Sequence, residues 1–437
     1  MTARKISGIK AIEGIDVLVA GGGPAGFCAA VEAARSGAKT LLVEQTGNLG
    51  GMASSGLVPG WCGFHNGIEY IHAGLAKEVR DGLRIYAGLP PSDDLKDQGG
   101  IDAEAMKSVT DSIATKSGIE LLFFTTLCGV EMGKDGVVKE AIVANKDGLF
   151  AINAKLFIDG TGDADLCHFA GVKTEKGDKD GDMQPVSLCM LMGGLQDDLM
   201  NGTPENFRDL MIKDPEFPLI KDDFFYPGLR MNSGHLWGVD GSSVKSVTKA
   251  MIDGRIEARQ FQDAFRKYIP RAKGAQLYQT ASLLGVRETR RIQGECCLIL
   301  DDYMQRRRFK DEISHNCFFI DIHPSLANRQ REAKGEWSWH KEKVDSSYAK
   351  GEFHGIPYRC LIPQGVKNLL DAGRSVSADR EVQSAIRVMP PCMSMGQAAG
   401  AAASLLLASG GKDFREVDTD ALRARLKEHG AFIPDVP

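Results

Sequence analysis

The segment IDVLVAGGGPAGFCAAVEAARSGAKTLLVEQ, residues 15–45, limits the possible folds more than any other part of the chain. An apolar run leads into a glycine cluster, an alanine-rich stretch has helical spacing, and Gly37 precedes a second apolar run. This order predicts a strand, a tight turn, a helix ending at Gly37 and a second strand. Such a βαβ unit belongs to an α/β fold with a parallel sheet.

The turn itself has the pattern GxGxxG, formed by Gly21, Gly23 and Gly26, and Glu44 ends the second strand. In a βαβ unit these glycines permit a tight turn, a close approach to a pyrophosphate, and packing of the helix on the strand. The helix end offers N–H groups to phosphate, and a terminal acid accepts from ribose hydroxyls. The pattern therefore predicts a dinucleotide, and Glu44 disfavours one with a 2′-phosphate.

Composition narrows the class of protein. The 437 residues are 43% hydrophobic and 25% charged with a net charge of −5, which indicates neither disorder nor a nucleic-acid surface. No apolar run reaches 18 residues, and we expect a soluble cytoplasmic protein without membrane contact. The ten cysteines lack a CxxC pair and the nine histidines lack ligand spacing, so we expect reduced thiols and no metal site.

Downstream patterns predict further elements. Residues 101–117 predict a helix, followed by a buried strand in IELLFFTTL. LCGVEM, VVKEAIVA and FAINA predict a β-meander, and AKLFIDGTGD predicts one more strand. QPVSLCMLMGG alternates like a strand, and residues 243–268 and 278–294 predict long polar helices. Near the end, PPCMSMGQAAGAAASLLLASG predicts a helix with prolines at its start and glycine at its end.

Five segments together resemble the bacterial FAD-dependent oxidoreductase family, whose members share a glutathione-reductase-type FAD domain. They are GGGPAG, VEQTGNLGGMASSGLVPGW, FIDGTGDADL, RETRRIQGE and NLLDAGRSVSADREVQSAIRVMPPCMSMGQAAGAAA. The resemblance implies FAD bound in an extended form to a Rossmann-like α/β domain with a central parallel sheet and β-meander, plus an inserted α+β substrate domain. We expect a discontinuous FAD domain of residues 14–163 and 360–410, a substrate domain of residues 164–359, and a C-terminal helical tail of residues 411–437.

The glycine patterns and the resemblance imply a set of FAD contacts spread over four segments. These are Gly21, Gly23, Pro24, Ala25, Gly26, Glu44, Gln45, Gly50, Gly51, Met52, Thr161, Gly162, Asp163, Gly373, Arg374, Met395, Gly396 and Gln397. Many relatives hold the ribityl chain with Gly-Asp where this chain has Gly373 and Arg374, and Arg374 could instead reach the pyrophosphate. The helix that starts at Pro390 and Pro391 is expected to face the flavin.

Catalysis at the flavin N5 needs a cation and a proton carrier. We predict His65, Arg290 and Arg387, with Arg290 on a helix formed by RETRR; His323 and Tyr358 are the next candidates. Cys62 and Cys392 lack the spacing of a redox pair, and Cys296 and Cys297 are expected to be buried on a helix. Only one GxGxxG occurs in a βαβ context, so we expect electrons to pass through the substrate and an external partner.

The sequence thus predicts an FAD-dependent oxidoreductase that transfers hydride between flavin N5 and a small polar or carboxylate-bearing substrate. An alternative is a flavoprotein whose FAD is structural and whose middle region binds a partner or polymer through RRRFK, residues 306–310. An enzyme that uses only NAD would leave the C-terminal segment unexplained.

Overall fold

The glycine-rich segment folds into a strand, a turn and a helix. The computed structural model describes residues 9–222, 224–334, 336 and 346–436. In it β1 (Lys10–Ala20) leads into α1 (Pro24–Arg35), and the chain returns to β2 (Thr40–Val43), which is parallel to β1. Gly37 has a φ of +93°, which glycine adopts without strain, so the helix can end there. The predicted βαβ unit is confirmed.

A mixed sheet has this unit at its centre. Its other strands are β3 (Glu120–Leu122), β4 (Thr126–Met132), β5 (Val138–Asn145), β6 (Gly148–Asp159) and β14 (Leu369–Asp371). The order is β3–β2–β1–β6–β5–β4, and β14 pairs with the end of β6. The pairs of β1, β2, β3, β6 and β14 are parallel, whereas β4, β5 and β6 form an antiparallel meander. The predicted Rossmann-like α/β fold is confirmed.

Two strand predictions need correction. FAINA and AKLFID belong to one continuous strand, β6, whose first half pairs with β5 and whose second half lies between β1 and β14. IELLFFTTL is not one buried strand: it contains β3, which lies at the edge of the sheet and is not fully buried, and its last two residues begin β4. The chain leaves this strand at Phe124, which has a φ of +50° and an exposed ring.

Alternate residues of β1 contact two different cores. Val17 and Val19 pack with α1 and α10 (Met389–Ser409), and Leu18 and Ala20 pack towards α4 (Asp165–Phe169). This alternation follows from the two-residue period of a strand.

Glycines allow α1 and α10 to approach until their backbones touch. A Cβ at Gly396 would overlap the carbonyl oxygen of Ala25, and one at Gly400 would overlap that of Ala29. By length and composition α10 could cross a membrane, but 72% of its most apolar window is buried inside the protein, as in a core helix. The predicted helix with prolines at its start is confirmed, and it ends at Gly410, with a φ of +71°.

Three further helices surround α10. They are α2 (Leu75–Tyr86), α3 (Ala103–Lys116) and α11 (Thr419–Glu428). α2 and α11 contact α10, and α3 packs against α2. The helix predicted for residues 101–117 corresponds to α3.

The middle of the chain forms a separate antiparallel sheet covered by helices. Its strands have the order β10–β8–β9, and the phenylalanines of α6 pack with Phe225 in one core. The elements between β6 and β14 are β7 (Thr174–Lys176), β8 (Met190–Gly193), α5 (Phe207–Lys213), β9 (Arg230–Met231), α6 (Val244–Tyr268), β10 (Gln276–Thr280), β11 (Arg290–Ile292), α7 (Leu300–Met304), β12 (Glu312–Asn316), α8 (Leu326–Ala333) and β13 (His354–Pro357). Helix α9 (Arg380–Ile386) follows β14. Helix α6 confirms the prediction for residues 243–268.

The helix predicted for residues 278–294 is wrong. This segment contains the end of β10, an irregular stretch, and β11, so Arg290 lies on a short strand paired with β7. Gly285 exchanges backbone hydrogen bonds with Ser187, and such tertiary pairing overrides a weak helical pattern. Cys296 and Cys297 lie in irregular chain and not in a buried helix; Cys296 is partly exposed and Cys297 is exposed.

The division into FAD domain, substrate domain and tail stays a prediction. Tyr303, Ile313 and Ile356, from the predicted substrate domain, pack in the same core as α1 and α10. Leu422 and Leu426 of α11 join that core as well.

Candidate functional site

A cavity of about 450 Å³ lies at the carboxyl ends of β1, β2 and β6. Ligands of parallel α/β sheets bind at this edge, because the loops that follow the strands meet there. Predicted site residues in its wall are Gly21, Gly23, Pro24, Ala25, Glu44, Gln45, Gly51, Met52, Thr161, Gly162, Asp163, Gly373, Arg374 and Arg387.

The three glycines of the turn meet three different surroundings. Gly21 has a φ of +93°, and a Cβ there would lie 2.6 Å from the carbonyl oxygen of Gly160. A Cβ at Gly26 would overlap the carbonyl oxygen of Gly21, so this position holds the helix against the turn. A Cβ at Gly23 would approach the protein no closer than 4.0 Å and would occupy the cavity. Gly23 is therefore the position where a ligand can reach the backbone.

Backbone N–H groups fix Glu44 in the cavity wall. Its Oε2 accepts from the amide of Gly22 at 2.6 Å, and its Oε1 accepts from the amide of Thr46 at 2.7 Å. The side chain is buried, yet it borders the cavity. Each carboxylate oxygen has a second lone pair, so a ribose hydroxyl can still donate to it.

Arg374 lies against the loop that follows β6. Its Nη2 donates to Asp163 Oδ1 at 2.7 Å, and a Cβ at Gly162 would lie 2.9 Å from its Nη1. Burial alone would lower the pKa of Arg374, but the Asp163 carboxylate raises it above its usual value. The guanidinium is therefore charged, and its Nε is buried without a partner among the described residues. Arg374 borders the cavity as a cation where many relatives have an acid.

The start of α10 also borders the cavity, through Met389 and Cys392. Pro390 and Pro391 have no N–H, and the amide of Cys392 is bonded to the carbonyl of Val388 at 3.3 Å. Among the first four residues of this helix, only Met389 therefore has an amide without a bond inside the helix, so this helix start offers fewer N–H groups than one without prolines. The positive end of the helix dipole is still there.

Arg387 stands just before α10, in the wall of the cavity. Its Nη2 donates to the backbone oxygen of Asp321 at 2.9 Å and to Asp321 Oδ2 at 3.1 Å. Asp321 Oδ1 lies 3.5 Å from His323 Nε2. Burial alone would raise the pKa of Asp321, but the hydrogen bond with His323 and the charge of Arg387 hold it well below its usual range.

Two of the three predicted catalytic residues lie outside the cavity wall. His65 Nδ1 accepts from the amide of Gly67 at 3.0 Å, and its Nε2 lies 2.5 Å from Gln98 Nε2. Arg290 donates to the backbone oxygen of Asp163 at 2.8 Å and to Asp165 Oδ1 at 2.7 Å. Arg290 thus supports the loop that borders the cavity, whereas His65 has a local partner.

Five predicted FAD contacts also lie outside the wall. Gly26, Met395 and Gly396 pack inside the protein, and Gly50, with a φ of +96°, forms the turn before Gly51. Gln397 Oε1 accepts from the amide of Leu75 and its Nε2 donates to Glu32, so it joins α10 to α1 and α2. Residues 395–397 hold helices together, and their contact with FAD stays a prediction.

Several wall residues were missed by the sequence reasoning. They are Thr125, Thr126 and Leu127 after β3, Gly241, Ser242, Val244 and Val247 around the start of α6, Leu283, Leu284 and Val286, and Met389 and Cys392. The sequence could have predicted the two threonines, because they follow a strand at the same edge of the sheet as Glu44. Leu283, Leu284 and Val286 had none, since the pattern there predicted a helix.

These features fit an extended dinucleotide. The open space at Gly23, the start of α1 and the carboxylate of Glu44 match a pyrophosphate beside a ribose. The wall continues to Arg374, Arg387 and the start of α10.

Comparison of the sequence with known proteins identifies its family. The sequence matches the FAD dependent oxidoreductase family over residues 16–426. It is 35% identical over 151 residues to dihydrolipoyl dehydrogenase from Trypanosoma brucei brucei (34% of this chain, 30% of that protein). It is 31% identical over 170 residues to mitochondrial dihydrolipoyl dehydrogenase from Schizosaccharomyces pombe strain 972 (37% and 30%). The matched segments thus cover less than a third of these relatives.

Solved structures with some similarity to this chain have low sequence identity and TM-scores below 0.5. A geranylgeranyl bacteriochlorophyll reductase-like protein from Thermoplasma acidophilum has a TM-score of 0.45 and 14% identity, with 97% of this chain and 85% of that chain covered. A triple mutant of a flavin-dependent brominase has a TM-score of 0.46 and 13% identity, with 95% and 85% covered. The family match extends over nearly the whole sequence, and the chain therefore belongs to the FAD-dependent oxidoreductase family, as an enzyme whose cofactor is FAD.

Proposed function

We propose that the enzyme transfers hydride between flavin N5 and a small polar or carboxylate-bearing substrate, and that an external electron donor or acceptor completes the cycle. Bound FAD supplies the hydride chemistry, while the chain supplies binding, orientation and charge. The observation that carries the proposal is the position of Arg387, a cation in the cavity wall directly before α10.

Arg387 has unused capacity for an anionic substrate. Asp321 binds its Nη2, but its Nε is buried and has no partner among the described residues. A buried donor without a partner is unfavourable, so a carboxylate that accepts from this edge would be stabilised. Asp321 holds the guanidinium in place, which leaves less side-chain entropy to lose on binding.

His323 is the remaining candidate for proton transfer, and it lies beside Asp321, which binds Arg387. Burial and the charge of Arg287 lower its pKa to about 3, so the imidazole is neutral at pH 7 and can both donate and accept. Tyr358, the other fallback candidate, donates to the carbonyl of Phe414 at 3.0 Å and is buried in the core. We therefore assign Tyr358 a structural role and retain His323.

The alternative of a binding module loses its main support. The basic run at residues 306–310 is paired within the chain: Arg306 with Glu352, Arg307 with Asp302, and Arg308 with Glu312. Paired arginines attract a polymer less than free ones do. We further propose that the enzyme acts in the cytoplasm on a small molecule, without nucleic acid or membrane, in line with its net charge and scattered cysteines.

The experiment is a screen of small carboxylic acids and neutral polar analogues in the absence of oxygen. Bleaching of the absorbance of the bound flavin reports that a compound reduces it. With a substrate from this screen, Arg387→Leu should retain FAD and slow flavin reduction by on the order of a hundredfold. Arg387→Lys should recover part of the rate, because lysine keeps the positive charge but cannot bind a carboxylate through two parallel hydrogen bonds.

The matched control is Arg35→Leu, which removes an arginine paired with Glu78 on the protein surface and should react at the normal rate. If Arg387→Leu reduces its flavin as fast as this control, then Arg387 does not bind the substrate. If only neutral compounds bleach the flavin, the carboxylate class is wrong while the hydride transfer stands.

A further inference from the structure

Three of the ten cysteines meet at a place that does not border the cavity. Cys296 and Cys297 follow β11, and Cys360 lies in a short helical turn between β13 and β14. Cys360 is fully buried, Cys296 is partly exposed and Cys297 is exposed. Cys360 lies close enough to Cys296 to lower the pKa of the Cys296 thiol. Two neighbouring cysteines, one buried and one partly exposed, suggest redox chemistry.

The backbone holds these two cysteines together. Gly294 and Pro363 form a β-bridge, and the amide of Glu295 donates to the carbonyl of Ile362 at 3.0 Å. A Cβ at Gly294 would lie 3.2 Å from the carbonyl oxygen of Cys360. The two segments are therefore fixed side by side, and a disulfide requires that the backbones of its two cysteines lie close together in this way.

We propose that Cys296 and Cys360 form a reversible disulfide when the protein meets hydrogen peroxide, with Cys296 as the attacking sulfur and Cys360 as the resolving one. This site is independent of the proposed substrate chemistry. Its ligand class is a small hydroperoxide, which the exposed side of Cys296 can meet.

The reaction balances in two steps. The Cys296 thiolate attacks one oxygen of the peroxide, the O–O bond breaks, and with one proton the products are the sulfenic acid and water. The Cys360 sulfur then attacks the Cys296 sulfur, the S–O bond breaks, and the Cys360 proton leaves with the hydroxyl as water. The two thiols lose two electrons, and the peroxide gains them. A dithiol reductant reverses the change.

The charges around the pair favour this order. The Cys360 thiol, assisted by the charge of Arg359, lowers the pKa of Cys296 to about 7. Burial and the charges of Asp311 and Asp302 act in the opposite direction but are outweighed. Burial raises the pKa of Cys360 well above its usual value, and burial also raises that of Cys297. Near neutral pH, Cys296 is thus the thiolate of the three, and the thiolate is the nucleophile.

The test uses the holoenzyme and hydrogen peroxide. Peptide mapping without reductant should show a cross-link between the peptides containing Cys296 and Cys360, with two free thiols lost and both recovered with dithiothreitol. Without peroxide, limiting iodoacetamide should label Cys296 before any other cysteine, and this needs no variant. A first label elsewhere, or a cross-link that joins two chains, would overturn the proposal.

Variants separate the roles of the three thiols. Cys296→Ser should abolish the cross-link, and Cys297→Ser, the adjacent control, should keep it. Cys360→Ala should leave a sulfenic acid on Cys296 that dimedone captures. If Cys297→Ser also abolishes the cross-link, or if Cys296→Ser still forms one to Cys360, the pairing is wrong. If Cys360→Ala does not fold, the order of labelling in the unmodified protein decides.

Discussion

α1 and α10 pack side by side and both begin near prolines at the cavity, yet they present different groups to it. α1 has a single proline, Pro24, so the amides of Ala25 and Gly26 at its first turn have no partner within the helix. In α10 two consecutive prolines remove the donors at the same two positions, since the fourth amide is bonded to the carbonyl before the helix in both cases.

The two helix starts therefore attract negative charge in different ways, α1 through backbone N–H groups and α10 through nearby side chains. The start of α1 can bind an anion through backbone N–H groups, which suits a phosphate that must come close. The start of α10 keeps the helix dipole but depends on side chains, and Arg374 and Arg387 stand beside it in the cavity wall. The positive charge at the α10 end therefore depends on two side chains that single substitutions can remove, whereas the donors at the α1 end belong to the backbone.

The largest effect is expected where the backbones of the turn touch. Gly26→Ala places a methyl group onto the carbonyl oxygen of Gly21, and it should destabilise the protein by about 3 kcal/mol or more, with low soluble yield. The control is Gly37→Ala, since a Cβ there meets nothing within 4 Å and only the φ of +93° is unfavourable. That control should lose about 1 kcal/mol. Equal melting temperatures for the two variants would contradict this contrast.

The second effect is loss of cofactor without loss of fold. Gly23 has a φ of −68° and open space around its Cβ position, so Gly23→Val should melt near the temperature of the wild-type protein stripped of FAD. The valine fills the space that the pyrophosphate needs, and FAD affinity should fall on the order of a hundredfold, about 2.7 kcal/mol. Flavin absorbance of the purified protein and titration with FAD measure this. A yellow variant with full flavin content would show that the phosphate does not lie at Gly23.

Much of the α1 end was predictable from the sequence. Its chemistry is local: Gly21, Gly23, Gly26 and Glu44 lie within 24 residues, and their spacing fixes a turn, a helix and a strand end. The three glycines have the surroundings that the pattern assigns to them.

The α10 end was less predictable because its partners are remote in sequence. Arg387 meets Asp321 across 66 residues, and Gln397 meets Glu32 across 365 residues. Periodicity cannot reveal such contacts. The same limit explains the error at RETRR, where pairing of β11 with β7 decides the structure. Pro390 and Pro391 are evident in the sequence, and because proline has no N–H, the small number of donors at the start of α10 was predictable.

The third effect concerns the strands that lead to the two helices. β1 ends on Ala20, whereas β14, on the path to α10, ends on Asp371 beside Asp159 of β6. Burial raises the pKa of Asp371 well above 3.8, and the charge of Asp159 raises it further. In the unfolded chain this group loses its proton above about pH 4, while the folded protein retains it. The folded state therefore loses stability as the pH rises from 4 towards the folded pKa.

Asp371→Asn removes this penalty. Its melting temperature should exceed that of the wild type by a few degrees at pH 7 and should match it near pH 4, because both chains are then neutral at this position. Asp147→Asn, at an exposed turn, is the control and should melt like the wild type at both pH values. A gain for Asp371→Asn that is the same at pH 4 and pH 7 would mean that packing, and not the proton, explains it.

The smallest effect tests whether the cysteine at the start of α10 takes part in the chemistry. Cys392 borders the cavity, but burial raises its pKa to about 12 in spite of the nearby Arg374 and Arg387. Its thiol donates to the carbonyl of Arg387 at 3.3 Å, so it acts as a neutral donor that holds the turn before the helix. A neutral thiol is a poor nucleophile, and a serine can make the same bond. Cys392→Ser should therefore leave FAD content unchanged and flavin reduction within about twofold, which is little beside the hundredfold expected at Arg387. A larger loss would show that the α10 end contributes a sulfur as well as a cation, and the contrast with α1 would then extend to redox chemistry.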